Sequence, residues 1–74
     1  MRHPQMEVRR RAAQNVKRLR REKAISQEEL AERSGLHRTY ISGIERAVRN
    51  PTLTVMDKLA AGLGVALASL VGED

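Results

Sequence analysis

The stretch "ISQEELAERSG", residues 25–35, constrains this chain more than any other. Ser26 reads as a helix N-cap, and Glu29 three residues on completes a capping box. Ile25 before the cap can staple onto Leu30. Gly35 then reads as a left-handed C-cap. Both ends of a helix over Gln27–Ser34 are therefore written locally. A new helix must begin almost at once, because Leu36 and Ile41 repeat the staple spacing around His37 as cap. It should run to about Arg46 or Ala47.

The rest of the chain follows the same period. Residues 1–5 read as a flexible arm. A first helix is expected from about Met6 to Lys23, with Val8, Ala12, Val16 and Leu19 as a narrow apolar stripe. Asn50-Pro51 marks a turn. Thr52 caps a fourth helix with Leu53, Met56, Leu59, Ala60 and Leu63 as its stripe, broken by Gly62 and Gly64. "ALASLV" is a short fifth helix, and residues 72–74 are a tail. The expectation is an all-α, compact five-helix domain over residues 6–71.

Composition narrows the function. With 74 residues there is room for one domain, and so small a core gains from dimerisation or close helix packing. Aromatics are 1% of the chain, Tyr40 alone, so the core must be aliphatic. The lack of cysteine excludes a disulfide scaffold, a zinc knuckle and thiol catalysis, and is compatible with a cytoplasmic protein. No apolar run is long enough to span a membrane. The basic N-terminus lacks the apolar segment of a secretory signal. His3 and His37 are far apart and form no metal site. No Ser/His/Asp set is convincing, Asp57 sits alone mid-helix, and no glycine-rich phosphate loop follows a strand. We therefore expect no enzyme, no cofactor and no small-molecule ligand.

The formal net charge is +5, and it is lopsided. Residues 1–25 carry nine Arg/Lys against two Glu, residues 26–50 balance at four of each sign, and residues 51–74 carry one Lys against three acids. A basic front on a small helical protein implies either a polyanion partner or a solvated arginine-rich surface.

Helix 2, a glycine turn and helix 3 together make a helix-turn-helix pattern, whose second helix lies in the DNA major groove. "SQEELAERSGLHRTYISGIERAVRNPTL" resembles the helix-turn-helix of the Cro/C1 repressor family. The match runs from Val16 to Leu70, carried by Gln27, Ala31, Gly35, Ile41-Ser42, Glu45 and "LAAGLGV". Within that family, "HRTYISGIER" followed by "RN" is similar to the controller proteins of bacterial restriction–modification systems. The resemblance implies a DNA-bound homodimer on operator repeats that activates or represses by occupancy, with RNA polymerase among its partners.

Rotating helix 3 at about 100° per residue sends Ile41 and Ile44 to the core and Thr39, Ser42, Gly43 and Arg46 to solvent or groove. Arg38 can read guanine with its planar fork, and Thr39 can meet a thymine methyl; the resemblance puts both among base contacts. Tyr40 lies on the flank, where it touches DNA or braces Arg38. Gly43 faces the groove, giving close backbone approach or simply one reader fewer. In the controllers the arginine matching Arg49 reaches bases and the asparagine matching Asn50 touches phosphate; an ordinary polar turn is the alternative. Gln27 stands at a helix N-terminus, which favours phosphate, and the resemblance assigns it a backbone contact. Ser26, His37, Ser42, Arg46 and Thr52 complete the expected backbone set, which positions without specifying.

Glu45 falls on the inward side of helix 3, where a lone carboxylate is costly; the family pattern pairs it with Arg20. Helices 4 and 5 carry more apolar surface than so small a core needs. Leu63, Val65, Leu67, Leu70 and Val71 are the expected dimer interface, shared with the core in a proportion the sequence does not give. Competing readings are an antitoxin or phage-type repressor of the same fold, or a non-specific nucleic-acid or protein-interaction module.

Overall fold

The computed structural model describes residues 4–72. Among them the elements are α1 (Pro4–Glu22), α2 (Gln27–Ser34), α3 (Arg38–Glu45), α4 (Leu53–Leu63) and α5 (Ala68–Val71), with no strand. Helix α1 therefore begins at Pro4, within the stretch expected as an arm. Pro4 and Gln5 belong to α1, and a proline suits the first helical position because its missing N–H would have no partner there. Residues 1–3, with His3, and residues 73–74 of the tail lie outside the described residues.

The local signals around α2 have counterparts, except that the capping box closes from one side only, the Glu29 carboxylate accepting from Arg33 instead of the Ser26 N–H. Ser26 Oγ accepts from the Glu29 N–H at 3.0 Å. Gly35 adopts φ +75°, and its N–H and that of Leu36 both donate to the Ala31 carbonyl, at 2.9 and 3.1 Å. A left-handed residue lets the chain double back into α3 with little linker. At α4, Thr52 Oγ1 accepts from the Val55 N–H at 3.2 Å, and Gly64 takes the C-cap at φ +70°. Gly62 does not break α4. It sits inside the helix, where an added Cβ would stand 3.2 Å from Leu30 Cδ1 and from the Ser34 backbone nitrogen. Its bare backbone is what lets α4 approach α2.

Two turns use alanine where glycine would be easier. Ala24 has φ +57° and Ala47 φ +60°. Ala24 ends α1, followed by Ile25 N–H donating to the Arg20 carbonyl at 3.2 Å. Ala47 ends α3, so that helix stops at Glu45 rather than at residue 46 or 47.

The core is aliphatic. Val16, Leu30, Ile41, Leu59 and Leu70 have no exposed surface, and Ala12, Ile25, Ile44, Met56, Ala60 and Leu63 join them. Two expected stripe residues do not. Val8 is 47% and Leu53 76% exposed, each in the opening turns of its helix and beside a surface groove rather than under a covering element. Asn15, a polar residue in the α1 stripe, is buried instead. Its Nδ2 donates to the Leu70 carbonyl at 2.8 Å and the Gly72 carbonyl at 3.0 Å. Arg11 adds a bond to the Val71 carbonyl at 3.2 Å. These side chains satisfy the last carbonyls of α5, which a four-residue helix cannot satisfy by itself.

Candidate nucleic-acid interface

The α3 helix is held by its inner side. Ile41 and Ile44 sink into the core beside Leu30 and Leu59. Glu45, also buried, is gripped by Arg20 in a two-point fork, Nε to Oε2 at 2.7 Å and Nη2 to Oε1 at 3.0 Å. Gln27 Nε2 donates to Oε1 at 3.0 Å, and Arg20 Nη1 donates to the Ile25 carbonyl at 2.9 Å. One carboxylate thereby ties the end of α1, the start of α2 and the end of α3. Burial pushes the Glu45 carboxyl up, but the hydrogen bonds from Arg20 and Gln27 and the nearby cations outweigh it. Its pKa lies below the ordinary value. The hydrogen bond to Glu45 likewise holds the Arg20 guanidinium more firmly protonated than usual. Among the described residues no buried side-chain polar atom lacks a partner.

The outer side of α3 is presented to solvent. Arg38 and Thr39 are exposed at its first turn, behind His37, which caps the helix with its backbone only. The α3 N-terminus opposes a cation there. Glu28 on α2 faces it, 3.9 Å from Arg38 Nε, and with both side chains in water the pair is weak. Arg46 is exposed and its Nε reaches back to the Ser42 carbonyl at 3.3 Å. Exposed Asn50 and Thr52 follow in the loop.

Two residues sit differently from the sequence expectation. Gly43 is not open to the groove: it is buried, and the stem of Arg49 covers it. Tyr40 is half-buried against the core and braces Arg49, whose guanidinium carbon lies 5.8 Å from its ring centroid, within cation–π reach. The loop after α3 is thus folded onto the helix, with the N–H groups of Val48 and Arg49 both donating to the Gly43 carbonyl at 3.0 and 3.2 Å.

Among the expected phosphate partners, Gln27 spends one amide hydrogen on Glu45 and keeps the other. Ser26 and Thr52 accept as caps and keep their hydroxyl hydrogens. The outer face of α2 is acidic, with Glu28, Glu29 and Glu32 around a shallow depression and Arg33 paired to Glu29. Positive charge near α3 therefore comes from Arg38, Arg46 and Arg49. The described residues hold no cluster of metal ligands and no helix long and apolar enough to cross a membrane.

The expected dimer interface needs correction. Leu63 and Leu70 are buried inside the chain itself, so neither can meet a second copy. Val65, Leu67 and Val71 are partly covered by the same core. Among the described residues the large apolar side chains left in water are Val8, Leu53 and Val48, the last 60% exposed. Val8 and Leu53 line a groove of about 90 Å³ with Ala12, Pro51, Met56 and Val71. A single chain cannot reveal this from spacing, because Leu53 and Leu63 stand on the same helical stripe.

A short helix, a left-handed glycine turn and a second helix anchored on one side and polar on the other define a helix-turn-helix, the motif of DNA-binding transcription regulators. Residues 16–70 match the helix-turn-helix family, and the chain belongs to it, as a Cro/C1-type member. It is 46% identical over 66 residues to an HTH-type transcriptional regulator of Sinorhizobium fredii, covering 89% of this chain and 86% of that one. It is 44% identical over 66 residues to the control protein C.SmaI of Serratia marcescens, covering 89% and 79%. The crystal structure of the restriction–modification controller protein C.AhdI from Aeromonas hydrophila superposes with a TM-score of 0.81 at 40% identity, covering 84% of this chain and 94% of that one.

Proposed function

We propose that this chain is a sequence-specific regulator of the restriction–modification controller type, binding operator repeats in double-stranded DNA as a homodimer. The observation that carries the reading is the two-sided α3, with Ile41, Ile44 and Glu45 locked inward and Arg38 and Thr39 exposed outward. Arg38 is the guanine reader, Thr39 a thymine or hydroxyl contact, and Arg49 with Tyr40 the second reading pair. Gln27, Ser26, His37, Ser42, Arg46, Asn50 and Thr52 are the backbone-contacting set that fixes register. Likeness to control proteins over most of the chain supports the subfamily. Activation and autorepression by occupancy belong to the same reading, with RNA polymerase as the partner in activation.

A twofold dimer sets its two α3 helices roughly 34 Å apart, one DNA turn. The surface we assign to the second copy is the apolar groove around Leu53 and Val8, with exposed Val48 nearby in the chain. Leu53 in water is apolar surface the monomer leaves unused, and the α3–α4 loop that carries Arg49 contributes Asn50 and Pro51 to the groove.

The test is selection of bound sites from random duplex DNA. The expected result is a repeated half-site with one-turn spacing, preferred by about 10³-fold or more over random sequence. Equal competition by every duplex would overturn the reading and leave a non-specific binder.

A further inference from the structure

Gly43 lies on the side of α3 opposite Ile41, yet it is buried, and Arg49 is what buries it. A Cβ added at Gly43 would stand 2.6 Å from Arg49 Cγ and 3.3 Å from its Nε. Swinging the guanidinium alone would not relieve that clash, because Cγ moves only by rotation about the Cα–Cβ bond. Nor can the loop simply lift, since the N–H groups of Val48 and Arg49 are both hydrogen-bonded to the Gly43 carbonyl. Any side chain at position 43 therefore turns Arg49 into another rotamer. The same side chain carries its guanidinium to the Tyr40 ring. Tyr40 and Gly43 are three residues apart on one helix face, so ring and bare backbone form a continuous bed for one arginine.

We propose that Gly43 is a specificity-determining position, acting through Arg49. By lacking a side chain it lays Arg49 along the recognition helix and against Tyr40. Arg38, Thr39, Tyr40 and Arg49 then form one reading surface, and Arg49 meets the bases from a fixed place rather than from a swinging loop. Preorganisation of this kind spares the ordering cost of a long side chain on binding. The proposal rests on the reading of α3 as a base-reading helix, and its test separates the two.

The first arm uses the free protein. Tyr40 is the only Phe, Tyr or Trp in the chain and its ring lies against Arg49, so a ring-current shift on the Arg49 methylene protons in an NMR spectrum that disappears in Tyr40→Leu comes from it. The shift should be present in the wild type and lost in Gly43→Ala. The second arm measures affinity for the selected operator and for variants changed at one base pair each. Arg49→Ala identifies the base pairs Arg49 reads, where discrimination of about tenfold is expected. Gly43→Ala should lose discrimination at those base pairs, keep it at the ones lost in Arg38→Ala, and have no further effect in an Arg49→Ala background. Gly43→Ser brings the same Cβ and serves as a second variant should the first fold poorly. An unchanged ring-current shift, intact discrimination, or a uniform loss of affinity on all sequences would each overturn the proposal while leaving a sequence-specific regulator. Absence of any preferred site for the wild type would bring down the function and this role together.

Discussion

Glu45 is a carboxylate almost enclosed by protein, and the sequence alone marks it as a problem: an acid on the apolar side of a helix. Its answer comes from Arg20, 25 residues away in the chain, and from Gln27. The family resemblance points to Arg20, but Gln27 reads only as a phosphate contact, because helix position says nothing of a cross-helix partner. Breaking such a pair leaves an arginine poorly solvated, and Glu45→Ala should destabilise by about 3 kcal/mol. A domain of this length has roughly 4–11 kcal/mol in all, so this is a large share, readable as a fall in the urea midpoint. The pH dependence has a definite sign. A carboxylate whose folded pKa is depressed contributes stability that is complete above its unfolded value, near 4.5, and is lost as pH falls through the lower folded value. Acid unfolding of the wild type should steepen in that window, and Glu45→Ala should flatten it. At Arg38 the expectation concerns DNA. Arg38→Ala should cost about 1–3 kcal/mol on the selected site and relax preference at one base pair. Equal weakening on every duplex would make Arg38 a phosphate contact instead.

The elements were legible in proportion to how local their determinants are. The bounds of α2 follow from Ser26, Glu29 and Gly35, whose hydrogen bonds close within three or four residues. Helices α1 and α3 end one or two residues earlier than the spacing predicts because alanines supply the left-handed turn, and nothing in an alanine announces it. An alanine at positive φ carries about 1–2 kcal/mol of strain, partly offset because glycine costs more to order from the unfolded chain. Ala24→Gly, at an exposed position, should therefore raise stability by about 0.5–1 kcal/mol, a thermal midpoint higher by several degrees. A lower midpoint would show that Ala24 is held without strain. Gly62 and Gly43 differ in another way. Gly62 reads as a helix break and Gly43 as a bare spot facing the groove, and each is instead a place where another group of the chain, α2 or Arg49, comes close.

For the whole molecule, the division between core and free surface sets what a mutation does. Leu70 is fully buried, so Leu70→Ala should cost about 2–5 kcal/mol whatever the oligomeric state. Leu53 is exposed, so Leu53→Asp should leave the helical circular dichroism of the chain intact while sedimentation shows a monomer with weakened DNA binding. A dimer surviving that change would place the interface elsewhere. Spacing puts Leu53 in the apolar stripe of its helix and Leu70 in the expected dimer interface, the reverse of their burial. The all-helical class, the helix-turn-helix, the anchoring of α3 by Ile41 and Ile44 and the exposure of Arg38 were determined by the sequence itself, because capping, glycine handedness and a 3.6-residue period act within a turn or two. Which leucines face solvent, that Asn15 closes α5, and that Arg49 lies across Gly43 onto Tyr40 were decided only by the tertiary structure. Each depends on what packs opposite a residue, and that neighbour comes from another part of the chain.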